Sequence, residues 1–193
     1  MLDHPLLLSE LPFTAKQART QGLDPRRLAA LIARGAVQQI GRGLYMPAAL
    51  DIDPDLAEVA FRAPLATMCL TSALVHYGLI DDIPTALELA LPSGAPHRPP
   101  VTTPVTWRVF DAGTFSVGRG EENIRGVTFP VYSPERCVVD AFRLRGYTGY
   151  ETATKALKAW LSHRGNAPAT LLDIARQLPR AIGPLQQALE ILL

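Results

Sequence analysis

The chain has few of the features that announce chemistry. Its 193 residues include two cysteines and four histidines. Cys69 and Cys137 each sit inside an apolar run (MCLTSAL and ERCVVDAF), far apart and in no metal-binding spacing, so both are expected to be buried, reduced thiols. His4, His76, His97 and His163 are scattered, none with a second histidine four residues on or a cysteine beside it, and no metal site is expected. There is no G-x-x-x-x-G-K-[ST] loop and no G-x-S-x-G elbow, and Gly118-Arg119-Gly120 lacks the rest of a dinucleotide fingerprint. No cofactor and no enzymatic activity are therefore expected. The Leu6-Leu7-Leu8 run is too short to span a bilayer and lies between Pro5 and Pro12. With no secretion signal visible either, a cytoplasmic protein is expected. Internal repeats and low-complexity tracts are missing.

What is present is a hydrophobic fraction of 48%, enough for real cores, and a formal net charge of +1 that says little about partners. The distribution of that charge says more. Residues 14 to 45 carry Lys16, Arg19, Arg26, Arg27, Arg34 and Arg42 against Asp24 alone, a local excess of +5, which leaves −4 for the remainder. A basic module on a mildly acidic body points to local contact with a polyanion.

The same stretch has the punctuation of a winged helix-turn-helix. Thr14 and Gln17 form a capping box that starts a helix at Ala15. Gly22 is placed to end it. Asp24-Pro25 is an N-cap followed by proline at the first helical position. The turn is therefore short and glycine-containing, as the motif requires. The second helix is predicted from Pro25 to about Arg34 with Gly35 as its stop, and Leu28, Leu31 and Ile32 as its buried stripe. Its opposite face carries Arg26, Ala30 and Ala33, flanked by Arg27 and Arg34. Small alanines let a helix axis approach a groove floor, and the arginines can then reach phosphates or guanine edges. Val37–Ile40 and Leu44–Met46 read as two strands joined by Gly41-Arg42-Gly43, with Arg42 alone at the tip.

Elsewhere the reading is coarser. Leu2, Leu6, Leu7, Leu8 and Leu11 suggest a short first helix completing the small core. Asp51–Pro54 is a boundary, which gives a winged helix-turn-helix domain over residues 1–50 and an α+β domain over 55–193. Helices are expected over Pro54–Arg62 (Leu56, Val59 and Ala60 inward) and Thr67–Tyr77 (Leu70, Ala73, Leu74 and Tyr77 on one face). Leu87–Leu91 and Val105–Phe110 read as strands, residues 93–104 as an exposed loop, and Gly113–Gly120 as a turn-rich connection. Ile124–Tyr132 suggests one or two strands around Gly126 and Pro130. Ser133-Pro134-Glu135 opens a helix through Leu144, and three more helices follow over Glu151–Leu161, Pro168–Leu178 and Ile182–Leu193. The fold class is α+β: an N-terminal winged helix-turn-helix, then a small sheet with several C-terminal helices.

Three segments in this order carry a family resemblance: FTAKQARTQGLDPRRLAALIARGAVQQIGRGLY, the helix TSALVHYGL (Thr71–Leu79), and VYSPERCVVDAFR (Val131–Arg143). Together they resemble the AbiEi family, the antitoxin and transcriptional-repressor half of type IV toxin–antitoxin systems. The resemblance implies a winged-helix domain that represses its own promoter by binding inverted repeats as two copies on double-stranded DNA. It also implies a C-terminal domain that antagonises a nucleotidyltransferase toxin without a stable complex.

The residues expected to contact DNA are Arg26, Arg27, Arg34 and Arg42, with Lys16 and Arg19 as backbone-positioning contacts. Asp140, an acid inside an apolar helix, is expected to pair with an arginine such as Arg136 or Arg143, and His76 to be structural. Two other readings compete. One is a protein-interaction module with a helix-turn-helix scaffold. The other is a Mg²⁺-dependent nuclease using Asp81, Asp82 and Glu88, which lacks the lysine of an acid-x-lysine arrangement.

Overall fold

A computed structural model describes residues 12–95 and 99–192. The expected first helix over Leu2–Leu11 lies outside them. Nine helices and two small sheets are present among the described residues, a mixed α+β fold. The chain forms two compact units. The first takes in the described residues of Met1–Pro64, Arg98–Thr103 and Asn123–Thr128, and the second those of Leu65–His97, Pro104–Glu122 and Phe129–Leu193.

In the first unit, β1 (Phe13–Thr14) leads into α1 (Ala15–Thr20) and α2 (Pro25–Ala33), followed by β2 (Val37–Gly41), β3 (Leu44–Pro47) and α3 (Pro54–Arg62). The strands form an antiparallel sheet in the order β1-β3-β2. β1 is too short to show in the sequence pattern. It pairs Phe13 with Tyr45 and so ties the entry of α1 to the wing. The core beneath is local: Phe13, Ala18, Leu23, Leu28, Leu31 and Val37, with Ala36 and Tyr45 packed against it. Ile40, Leu44, Met46 and Ala57 form a second cluster.

In the second unit, β4 (Thr67–Met68) precedes α4 (Leu70–His76), then come β5 (Leu87–Pro92) and β6 (Val105–Phe110). The hairpin β7 (Arg119–Ile124) and β8 (Val127–Tyr132) follows, with its tip, Asn123–Thr128, grouped with the first unit. Five helices complete the chain: α5 (Pro134–Arg143), α6 (Arg145–Thr148), α7 (Tyr150–Ser162), α8 (Pro168–Gln177) and α9 (Ile182–Leu192). The sheet order is β6-β5-β4-β8-β7, with β4 antiparallel to β5 and parallel to β8, and β5 parallel to β6.

Two expectations need correction here. The segment Thr67–Tyr77 is not one helix. Thr67–Met68 is a strand of the sheet, and Leu70 adopts φ 45 where the chain turns from strand into α4. Its partner, Ala90 opposite Thr67, is long-range, so periodicity carried no trace of the strand. The turn-rich connection expected over Gly113–Gly120 gives way at Arg119 to a strand, β7 (Arg119–Ile124). Its RGEENI sequence shows no apolar alternation because it is an edge strand. His76, at the end of α4, has the structural contact expected of it: it lies 2.9 Å from Glu122 of β7, whose other oxygen accepts from Tyr77 Oη.

The acid inside the apolar helix α5 is paired with both candidate arginines. Asp140 accepts from Arg136 Nε and Arg143 Nε, each at 2.8 Å. Arg136 is fully buried. It donates further to the carbonyls of Thr114 and Val117, and its guanidinium lies 4.4 Å from the Tyr132 ring centre. Cys69 and Cys137 are buried free thiols, and burial pushes both well above the usual thiol range.

Candidate nucleic-acid interface

The geometry of the helix-turn-helix follows from its caps. Thr14 Oγ1 accepts from the Gln17 amide at 3.2 Å while Gln17 Oε1 accepts from the Thr14 amide at 2.8 Å, closing the capping box. Gln21 caps the end of α1, and Gly22 takes φ +84, a left-handed conformation that costs glycine nothing. The Asp24 carboxylate accepts from the Arg27 amide at 2.8 Å and Pro25 occupies the first turn. These local contacts fix the angle at which α2 leaves the turn, and Leu23, Leu28 and Leu31 anchor its inner face.

The outer face of α2 is open. Arg26, Arg27, Ala29, Ala30, Ala33 and Arg34 are all exposed. Ile32 is not part of the buried stripe as expected, being 36% exposed. At 100° per residue it stands about 70° from the midpoint of Leu28 and Leu31, on the rim of the stripe. Lys16 and Arg19 are exposed on α1, and Arg42 is exposed at the wing tip. None of these six cations forms an ion pair with a described residue. The outer face of α2 therefore joins a small-residue surface to uncompensated guanidinium groups. That is the chemistry needed to approach a phosphate backbone or the acceptor edges of bases.

The wing is held from behind by residues that the sequence did not single out. Its turn is tighter than expected, two residues rather than three: Gly41 belongs to β2, and Arg42-Gly43 makes the turn with Gly43 at φ +68. The pairing of Gln39 with Tyr45 shifts to Gly41 with Leu44, so Ile40 is an extra residue in β2. Gly41 is needed for a different reason from Gly43. A Cβ there would stand 2.0 Å from Glu58 Oε1. Glu58, on α3, is 1% exposed and accepts from Arg62 Nε at 2.9 Å and from the Thr102 amide at 2.7 Å. Arg62 Nη2 in turn donates to the Arg42 carbonyl at 2.7 Å. α3 thus grips the backbone of the turn and leaves the Arg42 side chain exposed. The i,i+4 spacing of Glu58 and Arg62 was the available sequence signal; the glycine contact and Thr102 were not visible.

The nuclease set is not assembled. Glu88 accepts from Arg108 Nη2 at 2.6 Å and from the Thr71 amide at 2.9 Å, while Asp81 and Asp82 are exposed on the loop before β5. Among the described residues no three acids, histidines or cysteines are grouped to hold a metal ion. None of the described helices is long and apolar enough to cross a membrane.

Comparison with known proteins agrees with the module the geometry defines. Residues 6–48 match the family model described as a transcriptional regulator, AbiEi antitoxin. No curated protein matches the chain. Among solved structures, the chain is similar to the RV2827C protein from Mycobacterium tuberculosis, with a TM-score of 0.58 and 16% identity over 94% of this chain and 76% of that one. Identity that low speaks to the fold alone.

Proposed function

We propose that this protein is a cytoplasmic transcriptional repressor that acts as the antitoxin of a type IV toxin–antitoxin system. Its winged helix-turn-helix, the 1–50 domain, binds inverted repeats in its own promoter, two copies to a site. The 55–193 domain antagonises a nucleotidyltransferase toxin without holding it in a stable complex. The observation that carries the DNA-binding half is the outer face of α2, where Arg26, Arg27 and Arg34 stand exposed around small alanines, with no ion-pair partner among the described residues. The family match over residues 6–48, to a transcriptional regulator and antitoxin, supports the regulatory half. α2 enters the major groove with its N-terminal arginines, and Arg42 at the wing tip reaches the neighbouring backbone or minor groove. No catalytic step is assigned to the chain.

The test is a mobility shift with the DNA upstream of the protein's own gene. If about four to six phosphates are neutralised, log K falls against log salt with a slope of about −4 to −5. Failure to bind duplex DNA at low salt, or equal binding by an Arg26→Ala/Arg27→Ala variant, sinks the reading. The toxin half is tested separately, by co-expression with a nucleotidyltransferase encoded beside it: restored growth without co-purification is the expected result.

A further inference from the structure

The five-stranded sheet ends in two edges that are built differently. β7 reads RGEENI and exposes Glu121 and Glu122, and charge of this kind guards an edge against pairing with another chain. β6 reads VTWRVF, and among the described residues it has a neighbour, β5, on one side only. Its single charge is tied down: Arg108 is bound to Glu88 at 2.6 Å and lies 4.5 Å from the Tyr147 ring centre. Val105, Trp107 and Val109 share the opposite face, the first two half-buried and Val109 57% exposed. β6 also carries no proline, no glycine and no bulge against β5.

The backbone of β6 is aimed to match. Leu87 donates to the Pro104 carbonyl and Ser93 to the Phe110 carbonyl. The even-numbered residues therefore face β5, and the N–H and C=O groups of Val105, Trp107 and Val109 point outward from the sheet. We propose that β6 is a self-pairing edge through which two copies of this chain join their sheets, antiparallel and centred on Trp107. In that register Trp107 meets Trp107 of the second copy as a hydrogen-bonded pair, and Val105 meets Val109, forming about six new backbone hydrogen bonds. The other face sets Thr106 against Arg108, with no like charges opposed. The alternative centre, on Arg108, sets two guanidinium groups opposite one another, which is unfavourable. The strand is thus self-complementary in the register centred on Trp107, as an interface with two-fold symmetry demands. The inference rests on the sheet edge alone and stands or falls independently of DNA binding.

Sedimentation equilibrium of the full chain over a dilution series is the test. A reversible dimer is expected, and Val109→Lys, at an exposed position, is expected to weaken it at least tenfold with an unchanged circular dichroism spectrum. For the register, Val105→Cys and Val109→Cys chains are prepared separately and mixed under oxidising conditions. Paired Cα atoms about 5.5 Å apart suit a disulfide, and the native thiols are buried. A cross-linked dimer is expected only in the mixture. A wild-type chain that stays monomeric through the micromolar range, a dimer indifferent to Val109→Lys, or a cross-link formed by either variant alone each overturns the proposal.

Discussion

One set of arginines in each unit is used in the opposite way to the other. In the first, Arg26, Arg27, Arg34 and Arg42 are exposed and without an ion-pair partner among the described residues. In the second, Arg108, Arg136 and Arg143 turn inward onto Glu88 and Asp140, and Arg136 is wholly buried. A guanidinium that already has its carboxylate has little left to offer a phosphate, and one on an open surface adds little to stability. The contrast separates residues that serve the fold from residues available for binding, and substitutions on the two sides are expected to fail in different assays.

The largest effect is expected at Asp140. Replacing it with alanine leaves two guanidinium groups without a carboxylate, one of them completely buried. The expected cost is about 3–5 kcal/mol of stability, in the range for removing one partner of a buried pair. Urea unfolding followed by circular dichroism checks it. A loss below about 1 kcal/mol, the range of exposed pairs, would erase the distinction between the two units.

Next comes the Arg26→Ala/Arg27→Ala pair on α2. Stability is expected to change by no more than about 0.5 kcal/mol, as for exposed positions away from special features. An arginine that reads a base edge is expected to cost about 1–3 kcal/mol of operator binding when it is removed, whereas one that neutralises a phosphate should reduce the salt slope by about one. A titration at three salt concentrations distinguishes these. Asp140→Ala and this variant should then define two axes, one in unfolding and one in binding.

Gly41→Ala should move along both axes at once. The added Cβ falls on the buried Glu58 carboxylate, so overpacking of about 1–3 kcal/mol is expected. Because Glu58 and Arg62 hold the turn that carries Arg42, the same change should weaken DNA binding. Gly43, with open space around its Cα, fails differently: alanine there is strained by the positive φ, with no clash against α3.

What could be read beforehand divides along physical lines. The helix-turn-helix was legible because its signals are local: a capping box four residues long, an N-cap beside a proline, a glycine at the left-handed position. The Asp140 cluster was legible because its arginines lie four residues before and three after, on one helix. Glu58 was not, since its burial depends on Thr102, 44 residues away, and on a glycine that must lack a side chain. The strands Thr67–Met68 and Arg119–Ile124 were missed for opposite reasons. The first is two residues of a buried sheet with no room for alternation, and the second is an edge whose charges hide it. In the candidate interface the exposure of the cations followed from the helical wheel, but the grip of α3 on the wing came only with tertiary structure.

The smallest expected effect tests the middle ground between the two uses of arginine. Asp53 caps α3 by accepting from the Asp55 and Leu56 amides, and it also pairs with Arg125 at 2.8 Å. Burial pushes its carboxyl up, but hydrogen bonds from Leu56 and the Arg125 guanidinium outweigh that and hold it below its ordinary value. A folded-state value below the unfolded one makes the contribution fully present above about pH 4 and lost as pH falls through the depressed folded value. Asparagine caps a helix about as well as aspartate, so Asp53→Asn removes the charge and keeps the cap. Arg125 is 77% exposed, so solvent screens the pair and the expected loss at pH 7 is only about 0.5 kcal/mol. The sharper signature is in the pH profile. From pH 7 down to pH 2.5 the melting temperature of the variant should fall less steeply than that of the wild type, with the two curves converging at the acid end. Parallel curves would mean that the Asp53 charge contributes nothing and that the pair belongs, with the arginines of α2, to the open surface.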